Sequence, residues 1–104
     1  MTRQRLPNRR ASISFEFEIG NLRYTATVSK FANGKVGELF LSNHKSNSGA
    51  DVNARDAAII LSFALQHGAD INAIRRALCR NSNGTPSGVM GTVLDEIAEM
   101  EGKR

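Results

Sequence analysis

Three arginines crowd one short stretch of the chain. Arg75 and Arg76 are adjacent, and Arg80 follows Arg76 by about one helical turn. Directly after them comes Asn81-Ser82-Asn83-Gly84-Thr85-Pro86-Ser87-Gly88, so guanidinium groups and the Ser87 hydroxyl could converge on a phosphate. The same arginines also read as a solvated cationic face that balances the acids following it, Asp95, Glu96, Glu99 and Glu101. A second anion-binding group is the run Lys45, Ser46, Asn47, Ser48 and Gly49, which offers a cation, hydroxyls and permissive backbone just before a helix start, where amide donors point at anions. It does not match the P-loop pattern and reads also as a plain connecting loop. Arg23 adds a cation to a strand face otherwise made of hydroxyls.

Catalysis finds less support. The histidines are His44, in a loop, and His67, at a helix end, and no Ser-His-Asp spacing, HExxH or enforced carboxylate pair is readable. His67 is most simply a residue favoured by the negative end of its helix. Cys79 lies near Arg75, Arg76 and Arg80, which would favour a thiolate, but a lone half-buried cysteine is the simpler reading. One cysteine permits neither an intrachain disulfide nor a cysteine-rich zinc site, so no metal and no cofactor is expected.

The elements that must position these residues change period at mid-chain. In Ser12–Ile19, Ile13, Phe15, Phe17 and Ile19 alternate with Ser12, Ser14, Glu16 and Glu18, the pattern of a strand with one buried face. Gly20-Asn21 is a tight-turn pair, and the second strand carries Leu22, Tyr24, Ala26 and Val28 inward, with Arg23, Thr25, Thr27 and Ser29 outward. Asn33-Gly34-Lys35 turns into a third strand, Val36–Asn43, where Leu39 and Leu41 oppose Glu38 and Phe40 and Gly37 marks a bulge or a close backbone approach. After the loop His44–Val52, a long helix capped by Asp51 or Asn53 runs to Gly68. Ala57, Ala58, Ile59, Ile60, Leu61, Phe63, Ala64 and Leu65 leave it little polar face, so it should bury more than one side, one of them against a second subunit. Asp70 caps a second helix with Ile71, Ile74 and Leu78 inward, and Val89–Met100 forms a third with Val93, Ile97 and Met100 inward. The fold expected is α+β: a three-stranded antiparallel β-meander with one face covered by three helices.

The chain has 104 residues, enough for one modest core, and a formal net charge of +4. Arg3, Arg5, Arg9 and Arg10 lie in the first ten residues, where there is no acid, and the remainder is balanced. Residues 1–11 are thus expected as a basic disordered arm and 12–101 as a single domain, with nucleic acid a conceivable partner of the arm. No stretch approaches the roughly 20 apolar residues of a membrane span, and the arm lacks the apolar centre of a signal peptide. A cytoplasmic protein with no membrane partner is expected. A helix-turn-helix reading of the helices around His67-Gly68-Ala69-Asp70 is weak, because the first helix is too apolar to cross a DNA backbone.

The order of elements, the strand meander with Phe31-Ala32-Asn33-Gly34-Lys35-Val36-Gly37-Glu38-Leu39-Phe40, the small lysine loop, Asp56–Leu78 with Leu65-Gln66-His67-Gly68, and Ser87–Ile97, resembles the TSCPD domain. That domain stands at the C-terminus of adenosylcobalamin-dependent ribonucleotide reductases and also alone. The resemblance implies an accessory, nucleotide-related binding module, because the radical chemistry of those reductases resides in a large barrel domain that 104 residues cannot contain. The family's Thr-Ser-Cys-Pro-Asp motif falls here at Gly84-Thr85-Pro86-Ser87-Gly88, without its cysteine, so no thiol or metal role carries over. Small phage proteins of the Thoeris anti-defence sponge type are similar as well, which implies a homo-oligomer that sequesters a cyclic nucleotide. On either resemblance the expected ligand residues are Arg23, Lys45, Ser46, Ser48, Arg75, Arg76, Arg80 and Ser87.

Overall fold

Alternating apolar residues in the first 43 positions build a sheet, and turn chemistry fixes its register. The computed structural model describes residues 3–8, 11–45 and 48–102. Strands β1 (Ser12–Ile19), β2 (Leu22–Lys30) and β3 (Val36–Asn43) pair antiparallel in the order β1-β2-β3. Gly20, at φ +61°, lets Ile19 pair directly with Leu22. In the second turn Gly34 sits at φ +87°, the Asn33 side chain accepts the Lys35 N–H, and the Phe31 N–H donates to the Lys35 carbonyl.

Gly37 is both things its position suggests. Ser29 pairs with Glu38 and Lys30 with Val36, so Gly37 is the extra residue of a bulge. A Cβ there would stand 2.7 Å from the Phe31 ring and 2.9 Å from a Leu6 methyl.

The helices are α1 (Gly49–Gln66), α2 (Ile71–Ala77) and α3 (Val89–Gly102), which completes an α+β fold. Tyr24, Ala26, Val28, Leu39 and Leu41 from the sheet meet Ala54, Ala58, Leu61 and Leu65 of α1 and Val93, Leu94 and Ile97 of α3 in one core. The inner row of β1 is less covered: Phe15, Phe17 and Ile19 are half-buried and Ile13 is exposed, because β1 is the outer strand on its side of the sheet. Phe17 stacks on Tyr24 at 5.4 Å, which extends the core toward that border.

The start of α1 differs from the sequence reading. Ser48, not Asp51 or Asn53, is the cap, and its hydroxyl accepts the Asp51 N–H at 3.1 Å. Asp51 is drawn aside because its carboxylate takes the Asn43 N–H of β3 at 2.9 Å. The far end closes as expected on Gly68, at φ +96°, with Gly68 N–H on Leu65 O and Ala69 N–H on Ala64 O. No helix among the described residues is long and apolar enough to cross a membrane.

Candidate functional site

The expected ligand residues do not meet at one place. Arg75 and Arg80 converge on Asp95 of α3. Arg80 binds it through both terminal nitrogens, at 2.7 and 2.9 Å, and Arg75 reaches it at 3.3 Å. The hydrogen bond from Arg80 is the main cause that holds the Asp95 carboxyl below its ordinary range, against an opposing effect of burial, and the Arg75 bond adds to it. Arg80 also donates to the Gly84 carbonyl, and its own ionisation is pushed up by Asp95. Arg76 is exposed beside this cluster.

The Gly/Ser stretch after α2 is a closed turn. Arg80 bridges to Pro86, the Asn81 N–H donates to Thr85 O, and the Ser87 hydroxyl donates to the Asn81 side-chain oxygen at 3.0 Å. Pro86 then packs on Gly91 of α3, where a Cβ would approach it to 2.9 Å. Cys79, on this segment, is exposed rather than half-buried.

Elsewhere Arg23 pairs with Glu18 at 3.0 Å across the β1–β2 ladder, with Glu16 at 3.9 Å. Ser48 is occupied as the helix cap and also donates to the Lys45 carbonyl. Ser46 lies outside the described residues, as do Arg9 and Arg10 of the basic arm. Arg3 has its guanidinium 4.6 Å above the Phe63 ring and bonds the Gln66 side chain, while the Gln4 N–H donates to the Gln66 carbonyl. His44 shares a hydrogen bond with Thr25 and His67 one with the Phe63 carbonyl. Among the described residues no group of three His, Cys, Asp or Glu side chains is placed to hold a metal ion.

A feature the sequence reading missed lies between β3 and α1. β3 is an outer strand, and alternation turns the N–H and C=O of Leu39, Leu41 and Asn43 away from β2. Side chains of α1 answer most of this border. Gln66 donates to the Gly37 carbonyl, the Ser62 hydroxyl accepts the Leu39 N–H at 2.9 Å and donates to the Leu39 carbonyl at 3.1 Å, and Asp51 takes the Asn43 N–H. The helix thereby does for β3 what a fourth strand would do. The signal was present: Asp51, Ser62 and Gln66 interrupt an apolar run at spacings of eleven and four, one helical side.

Between Asp51 and Ser62, α1 brings the small side chain of Ala58 to this border, and a groove of about 430 Å³, lined by both Ala58 and Leu41, opens there. Thr25, Thr27, Phe40 and Ser42 of the outer sheet face form one wall, and Val52, Arg55, Asp56 and Ile59 of α1 the other. Phe40 is 55% exposed at its mouth. Arg55, held by Asp51 at 3.1 Å, and Asp56 stand with it as its charged groups. The arrangement combines apolar walls with a few polar groups, which suits binding of a small molecule.

Comparison with known proteins agrees with the architecture. The family model of the TSCPD domain matches residues 2–100. A vitamin B12-dependent ribonucleotide reductase of Agrobacterium fabrum (strain C58 / ATCC 33970) is 30% identical over 66 residues, which cover 64% of this chain and 5% of the reductase. No solved structure matches the chain.

Proposed function

The chain belongs to the TSCPD domain family, and from that premise we propose that it is a non-catalytic binding module for a nucleotide or a closely related compound, taken up in the groove between β3 and α1. The chain spans about a twentieth of the reductase it resembles, 5% of its length, so what carries across is an accessory role and not turnover. The observation that carries the reading is the groove itself. It is concave, walled by Phe40, Val52 and Ile59, and furnished with Thr25, Thr27, Ser42, Arg55 and Asp56. Arg55, on its α1 wall, is the cation that would meet a phosphate. The cluster at Asp95 is the weaker choice, since Arg75 and Arg80 already share that carboxylate.

Titration calorimetry with the common ribonucleotides and cyclic nucleotides tests the proposal. Binding in the micromolar range or tighter, lost on Phe40→Ala, is the expected result; no heat with any of them would overturn it.

A second reading is a sponge: a homo-oligomer that holds a cyclic nucleotide without cleaving it. What favours it is the apolar stripe that α1 leaves on its outer side, with Ile60 70% exposed and Ile59 and Phe63 about half exposed. Light scattering decides this reading. A dimer or larger species that becomes monomeric on Ile60→Asp supports it, and a monomer at all concentrations removes it.

A further inference from the structure

The border between β3 and α1 has a gap at Leu41. Its neighbours on the outward side are each answered by α1: Leu39 by Ser62, Asn43 by Asp51 and the Gly37 carbonyl by Gln66. Leu41 pairs with Ala26 in the same phase as Leu39 with Val28 and Asn43 with Tyr24, so its N–H and C=O point the same way. Among the described residues no hydrogen bond from α1 reaches them, because the helix presents Ala58 there. Leu41 as a whole is 3% exposed, and its outward main-chain donor and acceptor are left to what enters the groove. The groove opens at this position, lined by both Leu41 and Ala58. With the Leu41 side chain turned into the core, main chain is what the residue offers to the groove.

We propose that Leu41 is the recognition point for the base of the ligand. A planar heterocycle with a ring nitrogen acceptor beside an amino or imino donor completes the border as a strand residue would, taking the Leu41 N–H and giving a hydrogen bond to its C=O. Phe40, the next residue and half-exposed, supplies an aromatic face for the ring, and Val52 and Ile59 close the apolar side. Asp56 then accepts from a sugar hydroxyl and Arg55 faces a phosphate. The donor–acceptor pair makes the ligand a nucleobase compound rather than a simple phosphate ester, and the small side chain of Ala58 is what leaves room for it.

This inference rests on the proposed nucleotide-binding role, and it fails separately from it. The probes are the four ribonucleoside 5′-monophosphates and ribose 5-phosphate, added to the ¹⁵N-labelled full chain. At least one monophosphate should move the Leu41 amide proton resonance downfield, and ribose 5-phosphate should leave it in place. Ala58→Ser, which offers Leu41 the kind of hydroxyl that Ser62 offers Leu39, should weaken that monophosphate at least tenfold while the melting temperature holds or rises. If a monophosphate binds but the Leu41 resonance stays and Ala58→Ser binds as tightly as the parent, Leu41 is not the recognition point and the module binds elsewhere. If ribose 5-phosphate reproduces the whole response, the base is not read. If no monophosphate binds, the recognition point falls, and the role stands or falls on the wider calorimetric panel that includes the cyclic nucleotides.

Discussion

Two regions of this molecule hold polar side chains between secondary elements, and they work differently. At the β3–α1 border Asp51, Ser62 and Gln66 are buried and bond main chain: the Asn43 N–H, both Leu39 groups and the Gly37 carbonyl. In the α2–α3 cluster Arg75 and Arg80 bond a side chain, Asp95, and all three are about a third exposed. Main-chain groups cannot leave a border when their partner is removed, whereas a surface guanidinium turns to water. The first region therefore carries stability and, at its gap, the place where we propose that a ligand binds. The second, although it holds more of the charge that draws the eye in the sequence, is a clasp between helices.

The largest effect that would break this contrast is expected at Asp51. Asp51→Ala leaves the Asn43 N–H without its charged acceptor, and urea unfolding should show a loss of about 3 kcal/mol. Ser62→Ala removes the partner of both Leu39 groups and should cost about 2 kcal/mol in the same assay. Gly37→Ala sharpens the picture of the bulge at the end of that border. The added methyl must displace the Phe31 ring or Leu6, for about 1–2 kcal/mol. Smallest is Asp95→Asn, under about 1 kcal/mol at neutral pH, because the pairs it breaks are partly solvated. A loss at Asp95 equal to that at Asp51 would erase the distinction.

The cluster should still show in acid. The Asp95 carboxyl is held below its ordinary value of 3.8, so its contribution is present above that value and is lost as pH falls through the lower folded value. Thermal melts of the parent and Asp95→Asn should therefore differ at neutral pH and converge toward the acid end. A gap that widens as the pH drops would show the sign to be wrong.

Much of the architecture was legible in the residues. Alternation in Ser12–Ile19 and Leu22–Val28, the positive-φ turn residues Gly20 and Gly34, the Gly68 stop of α1 and the Asp70 cap of α2 all lie within a few residues of what they determine, so local chemistry specifies them. The start of α1 was misread by three residues or more, since Asp51 is as good a cap as Ser48 until β3 claims its carboxylate. The site was less legible. Charges and hydroxyls stand out in a sequence, but whether Arg80 faces a ligand or Asp95 depends on where α3 returns.

The sequence by itself determined three strands in a meander, a long apolar helix after them, and an excess of arginine in the first ten residues before a charge-balanced remainder, because periodicity, turn residues and charge are properties of neighbours along the chain. Only the tertiary structure decided that α1 runs beside β3 with its polar residues on the strand's open side, and that at Leu41 it offers only an alanine. That gap is a relation between residues seventeen positions apart, Leu41 and Ala58, and nothing local in either residue reveals it.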